Sequence, residues 1–413
     1  MAPTYRITGA VLTEREHVVP LDHADPSGPT ISVFSREVAD PEGPDRPYLL
    51  FLQGGPGSEA TRPTGPPSGW MKRALTDYRI LLLDQRGTGR STPVGRDIPG
   101  DTAEAQATYL THFRADSIVR DAELIRNELG SGPWSVLGQS FGGFTSMTYL
   151  SIAPEGLREA FITGGLSPIG RPADDVYAAT YLRLIQKNRA YFARYPEDRA
   201  RVAAIHERLD AEDIRLPSGG RLTSRRFRQL GNALGDALGF ELLHHIVELP
   251  FGSSAFLDDA QHGARYERNP LYATLHESSY ADGVATRWSA ARLLPDEVIS
   301  ERYFTAEQMF PWMWEDYPGL VPHRAAADLL AEHEWPRLYD ADVLAGNEVP
   351  VAATIYTNDL YVERAFAEET AAAIGGLRPW ITNEYEHSAL RNDGERVLDR
   401  LIGLVRGREY AAT

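Results

Sequence analysis

Hydrophobic and polar residues alternate along the opening segment, as in Ile31-Ser32-Val33-Phe34, a period-two pattern that predicts antiparallel strands with one buried face. The pattern then changes to nearly unbroken apolar runs. Tyr48-Leu49-Leu50-Phe51-Leu52 stops at Gly54-Gly55-Pro56-Gly57, and Tyr78-Arg79-Ile80-Leu81-Leu82-Leu83 stops at Asp84-Gln85-Arg86-Gly87-Thr88-Gly89. Short apolar runs closed by glycine clusters fit parallel strands buried on both faces. Helical spacing follows at Ile118, Ala122, Ile125 and Leu129. Next come a strand at Trp134-Ser135-Val136-Leu137, a helical run over 141–150 facing inward through Met147 and Leu150, and a strand at Ala160-Phe161-Ile162-Thr163. Strands alternating with helices predict a doubly wound α/β sheet.

From about 167 to 342 the pattern is different. Helical, arginine-rich and aromatic-rich segments dominate, for example 178–195, 225–238 and 324–332, and no buried strand stands out. The α/β pattern resumes with a strand over 349–356, a helix over 363–374, a strand over 378–382 and a helix over 392–405. The expected organisation is a core built from 1–166 and 343–413, interrupted by a mostly helical cap over 167–342 that lies across the carboxyl edge of the sheet.

Composition narrows the function. A chain of 413 residues can bury one large core and carry a sizeable insertion. A formal charge of −16 argues against nucleic acid and anionic membrane surfaces as partners. There is no cysteine, which excludes disulfides, thiolate metal sites and cysteine nucleophiles. The opening residues show no basic segment followed by an apolar one, and no apolar run approaches the length of a spanning helix, so a cytoplasmic location is expected. His244 and His245 lack metal-ligand spacing and read as a helix surface; no metal and no cofactor are expected.

The chemistry is concentrated at Gly138-Gln139-Ser140-Phe141-Gly142, which sits between a strand and a helix. A sharp strand-to-helix turn with small neighbours holds a serine hydroxyl proud of the sheet, the nucleophile elbow of α/β-hydrolases. Serine is a weak nucleophile at neutral pH and needs a base and an orienting acid. In that fold the order along the chain is Ser, Asp or Glu, then His. His387 is the histidine that lies beyond the resumed sheet, after the 378–382 strand, and Asp359 follows the 349–356 strand. Asp359 read alone also suits a turn or helix cap; order and strand-end placement favour Ser140–Asp359–His387 as a triad. The oxyanion hole should combine the Phe141 amide with an amide of the glycine loop, Gly55 first and Gly54 second.

Taken together and in order, Gly54-Gly55-Pro56-Gly57, Asp84-Gln85-Arg86-Gly87-Thr88-Gly89-Arg90-Ser91 and Gly138-Gln139-Ser140-Phe141-Gly142-Gly143 resemble the proline iminopeptidases (prolyl aminopeptidases), in their longer bacterial form. The likeness continues at Asn269-Pro270-Leu271-Tyr272, His276-Glu277-Ser278-Ser279-Tyr280, Asn358-Asp359-Leu360-Tyr361-Val362 and Glu384-Tyr385-Glu386-His387. Gln53 departs from the histidine of many relatives, a change the longer form tolerates. The resemblance implies an α/β-hydrolase fold with an inserted cap and a serine exopeptidase that removes N-terminal proline from short peptides. Its triad falls on the same three residues. It also implies cap glutamates that hold the prolyl ammonium, at Glu277 and Glu307, and a ring pocket walled by Phe141, Phe310, Trp312 and Trp314. Each of these has a plainer alternative, a solvated glutamate or an aromatic that packs the cap on the core. Rival readings are an esterase or other aminopeptidase of the same fold, and a hydrolase-like scaffold without activity. Oligomeric state is not legible.

Overall fold

The computed structural model describes residues 2–263 and 266–409. Among the described residues one nine-stranded sheet runs through the molecule, in the order β1-β2-β3-β5-β4-β6-β7-β8-β9. Its strands are β1 (Thr4–Ile7), β2 (Ala10–Pro20), β3 (Thr30–Ala39), β4 (Tyr48–Leu52), β5 (Arg79–Leu83), β6 (Trp134–Gln139), β7 (Leu157–Thr163), β8 (Val351–Tyr356) and β9 (Leu377–Thr382). The first three pair antiparallel, and β3 joins β5 antiparallel; from β5 to β9 every pairing is parallel. The fold is that of an α/β-hydrolase, as the alternation of strands and helices implied.

The apolar runs lack polar alternation because both faces of the sheet are covered. On β4, Leu50 and Leu52 point into one core while Leu49 and Phe51 point into the other. The same division holds for Val136 against Leu137 on β6, and Ile355 against Tyr356 on β8. One layer contains the helices Ala115–Glu128 and Phe141–Ile152, and the opposite layer contains Gly69–Ala74 and Gly394–Val405. Each fully buried Leu, Ile or Phe contributes about 1.5–3 kcal/mol over an exposed one. Proline at position 379 sits in β9, an edge strand, where a missing N–H costs no ladder bond on the open side.

Between β7 and β8 the described residues form helices and 3-10 turns, with one isolated bridge, Arg215 to Arg221. The helix expected at 178–195 is the longer Ala173–Arg194. The one expected at 225–238 is instead a short helix, Ser224–Arg228, continued by a 3-10 stretch, Gln229–Gly235. Gly231 and Gly235 interrupt the apolar spacing there, and glycine weakens an α-helix. The final helix, expected over 392–405, is Gly394–Val405, preceded by the short helix Ala389–Asn392; Gly394 lies against the Trp70 backbone, where a side chain would not fit.

The Asp84–Ser91 motif has a structural job. Arg86 is fully buried; its guanidinium donates to both oxygens of Asp121 (2.6 and 2.7 Å) and to the carbonyls of Leu21, His112 and Pro20 (2.8, 2.7 and 3.1 Å). These bonds tie the end of β2 to helix Ala115–Glu128. Asp84 in turn accepts from the amides of Arg90 (2.9 Å) and Ala60 (3.2 Å), which shapes the glycine turn after β5. Removing one partner of a buried pair leaves the other charged and unsatisfied, so Arg86→Leu is expected to cost about 3–5 kcal/mol in urea unfolding. Adding Asp121→Leu should recover part of that loss, since no stranded charge remains.

Candidate active site

Ser140 is the residue where β6 turns into helix Phe141–Ile152, with φ 54° and ψ −122°. That backbone is disfavoured for a residue with a side chain, at a cost of about 1–3 kcal/mol. It is held by hydrogen bonds from the Ser140 amide to the Thr163 carbonyl (2.9 Å) and from the Gly143 amide to the Ser140 carbonyl (2.7 Å). The small neighbours are needed because of close approach. A side chain at Gly138 would collide with the Gly142 carbonyl, and one at Gly142 with the Leu52 carbonyl. The Ser140 side chain caps no helix amide, so its hydroxyl is free for other partners.

His387 follows β9 and Asp359 follows β8, and the two meet: Nδ1 of His387 lies 2.8 Å from Oδ2 of Asp359. The other carboxylate oxygen accepts the amides of Tyr361 (2.9 Å) and Val362 (3.1 Å). Asp359 therefore fills both of its sequence-based readings, one oxygen fixing the turn and one holding the histidine. The His387 ring lies over Gly164, one residue beyond the carbonyl that holds the Ser140 amide. Its Nε2 is buried and has no hydrogen-bond partner among the described residues. Burial pulls the imidazolium pKa down, but the Asp359 charge and hydrogen bond, with Glu307 behind them, outweigh it and leave the pKa raised.

The N–H groups of Phe141, Gly54 and Gly55 find no acceptor among the described residues. Of the two glycines, Gly54 is the one packed against Ser140; Gly55 is packed on Gly57 and Ser58. The glycine loop also touches the insertion, since Gly57 lies against Leu271 and the Tyr272 amide.

The two glutamates stand in different surroundings. Glu277 is buried and accepts the amides of Ala290 (2.9 Å) and Ser289 (3.2 Å), so it caps the short helix Ser289–Arg292; burial still pushes its carboxyl up to about 7. Glu307 accepts the Tyr272 hydroxyl and sits within electrostatic reach of His387 and Asp359. Burial raises its carboxyl to about 7 too, and no Lys or Arg pairs with it among the described residues. The nearest ring, His276 at 4.0 Å, is pushed down to about 4 by burial and is therefore neutral. Phe310 stacks on Trp312 (5.6 Å, 14°) and Trp314 packs on Trp288 (5.1 Å), within a cluster around Tyr317. Phe141 packs elsewhere, on Phe144, which contacts Tyr280. The four aromatics expected as one pocket wall thus fall in two clusters. His244 also differs from expectation: it is largely buried, stacked on Tyr195 (4.0 Å) and bonded to Asp198 (2.8 Å), an acid already engaged by Tyr191 and Arg201.

Sequence reading missed the parts that fasten the insertion to the catalytic loops. The His387 amide donates to the Gly235 carbonyl (3.1 Å), the Tyr361 hydroxyl to the Asn232 carbonyl, and Arg391 pairs with Asp236 (2.8 Å). Lys187, one of two lysines in the chain, is buried against Glu386 at 2.5 Å. Tyr361 lies edge-on to His387 (4.9 Å, 86°), and its ring occupies the space where a side chain at Gly235 would be. Only Lys187, rare by type, left a trace in composition.

A strained serine at a strand-to-helix turn and an aspartate-bound histidine, both at the carboxyl edge of a mostly parallel sheet, define a serine hydrolase of the α/β-hydrolase fold. A description of the alpha/beta hydrolase fold matches residues 47–247, and the chain is 48% identical over 404 residues to the proline iminopeptidase of Aeromonas sobria, covering 94% of this chain and 95% of that one. The chain belongs to the proline iminopeptidase family. It is also 34% identical to the proline iminopeptidase aneH of Aspergillus aculeatus, over 94% of this chain and 92% of that one. The likeness to the proline iminopeptidase of Neisseria gonorrhoeae is shorter, 33% identity over 29% of this chain. No described helix is long and apolar enough to cross a membrane.

Gly235→Ala tests the fastening of His387. The added methyl displaces Tyr361 and with it the base, and kcat/KM is expected to fall about 100-fold, since a displacement near 1 Å costs that much. Steady-state kinetics beside a thermal unfolding curve will separate this from loss of fold.

Proposed function

We propose that this chain is a prolyl aminopeptidase that releases N-terminal proline from short peptides, with Ser140, Asp359 and His387 as its triad and residues 167–342 as a cap over them. The observation that carries the reading is Glu307: a largely buried carboxylate within electrostatic reach of His387 that lacks a Lys or Arg partner among the described residues. A buried carboxylate without a cation holds its proton; a substrate ammonium allows it to ionise and pair. Glu277 supplies a second acid from the same insertion, already half satisfied by two amides. Membership in the proline iminopeptidase family supports the same conclusion.

In this reading the ammonium of the terminal proline rests on Glu307, with Glu277 beyond it, so the first carbonyl stands over Ser140. Nε2 of His387 takes the hydroxyl proton as Oγ attacks. The bond from Nδ1 to Asp359 fixes the tautomer and stabilises the imidazolium. The amides of Phe141 and Gly54, or Gly55 in its place, hold the oxyanion; one such donor is worth about 3 kcal/mol. Protonated His387 then delivers its proton to the departing amine, and water attacks the prolyl ester by the same base. Nothing in the sequence calls for a metal or cofactor.

The direct test is release from proline p-nitroanilide beside its alanine and N-acetyl-proline analogues, with Ser140→Ala as control. Turnover of the free prolyl compound alone, lost in the mutant, is expected; cleavage of the blocked compound would refute the carboxylate anchor. Glu307→Gln should lower kcat/KM on the prolyl substrate about 10- to 100-fold, the worth of a charge-assisted hydrogen bond.

The pH profile carries a separate expectation. Ionised Glu307, with its carboxyl near 7, and neutral His387 both exist on the alkaline side, so kcat/KM should rise with pH through about 7. In Glu307→Gln the negative charge that raises the His387 pKa is gone, so the remaining acid limb should move to lower pH. A limb that stays in place would show that Glu307 does not act on the base.

A further inference from the structure

A cleft of about 400 Å³ opens beside His387, and Gln139, the residue before Ser140, also lines it. That is the size of a small-molecule site. Its walls come from 51–71 and 387–391, and no residue of the 167–342 insertion lines it. The carboxylates Glu277 and Glu307 belong to that insertion, so the acids and this cleft approach His387 from different parts of the chain. In a chain of net charge −16, no acidic residue lines the cleft, whereas Arg62 and Arg391 both do. Arg391 shares its charge with Asp236; Arg62 has no ion-pair partner among the described residues, though it lies within electrostatic reach of Glu59 and Asp84 outside the cleft. The wall beside Arg62 carries Pro63, Pro66 and Pro67, which hold their shape and offer no N–H groups. Its floor includes the stacked pair Phe51 and Trp70 (4.5 Å, 24°).

We propose that this cleft receives the departing part of the peptide, and that Arg62, with Arg391 in support, binds its free C-terminal carboxylate. The inference rests on the prolyl reading of the site. His387 must hand its proton to the departing amine, so the leaving chain starts at this histidine, and the cleft is where it continues. Extended chain advances about 3.3–3.6 Å per residue, so one or two residues beyond the scissile bond carry a carboxylate up to about 7 Å into the cleft that the arginines line. A short peptide is then held at both ends, ammonium on the cap acids and carboxylate on the cleft arginines. The enzyme is therefore selective for prolyl dipeptides and tripeptides with a free carboxyl end.

The test compares kcat/KM for proline release from Pro-Gly and Pro-Gly-Gly with that from their C-terminal amides, in the wild type, Arg62→Gln, Arg391→Gln and the double variant. The ratio of acid to amide is taken within one preparation, so loss of folded enzyme cancels. In the wild type the acids are expected to be preferred about tenfold at low salt, mainly through KM, and less so as salt rises. The ratio should approach one in Arg62→Gln and fall less in Arg391→Gln, whose guanidinium is already paired. Equal cleavage of acid and amide by the wild type would overturn the proposal, as would a preference that survives in the double variant. If proline p-nitroanilide is also left intact by the wild type, the prolyl reading itself fails and takes this inference with it; if that compound is cleaved, only the cleft assignment is at stake.

Discussion

The hydrogen bond between His387 and Asp359 is the interaction on which the rest of the site depends. With a proton on Nδ1 facing the carboxylate, Nε2 is left as the nitrogen that can take a proton, and it has no hydrogen-bond partner among the described residues. Every neighbouring element serves that geometry. Strands β8 and β9 are adjacent and parallel, so the turns that leave them emerge side by side at the carboxyl edge. The second oxygen of Asp359 is tied to the backbone, which prevents the acid from rotating away. The unfavourable backbone at Ser140 brings the nucleophile to the same edge, and the buried core under β6 offsets that cost.

Two kinds of electrostatic environment meet at this histidine. On the side of the insertion, desolvation raises the carboxyls of Glu277 and Glu307 to about 7. On the side of the core, an acid-free cleft presents guanidinium groups. Under the proposed assignment, a neutral ester gains from neither side, whereas a zwitterion gains from both. Selectivity of this kind comes from desolvation that the protein bears in advance, and it is sharpest where water is excluded.

Much of the fold was legible in the sequence because β4, β6 and β8 are buried on both faces and carry largely apolar runs. Their lengths were visible without coordinates, as were the glycines near the ends of β4 and β6. The meeting of Asp359 and His387 was legible for a related reason: in a parallel sheet, functional residues collect where strands end, so chain order limits the candidates severely. The insertion was less legible. Most of its helices are short, and the region 224–235 changes from α to 3-10 geometry after Arg228, with Gly231 packed on Phe304 and Gly235 on the Tyr361 ring, contacts that are tertiary. Glu277 and Glu307 illustrate the limit. Nothing in their flanking residues separates the roles of the two glutamates, and only three-dimensional contact shows that one is occupied by backbone amides while the other has no Lys or Arg partner among the described residues. The aromatic residues 310–314 gave no hint that they would cluster around Tyr317 and not with Phe141.

The bond from the His387 amide to the Gly235 carbonyl means that the catalytic base is anchored in the insertion as well as in the sheet. Any fluctuation that lifts 232–236 from the core takes away that anchor together with the support of Tyr361 and Arg391. The position of His387 is thus shared between a strand end and a distant stretch of the chain, so a change made within 232–236 reaches the histidine through the backbone without touching it in sequence.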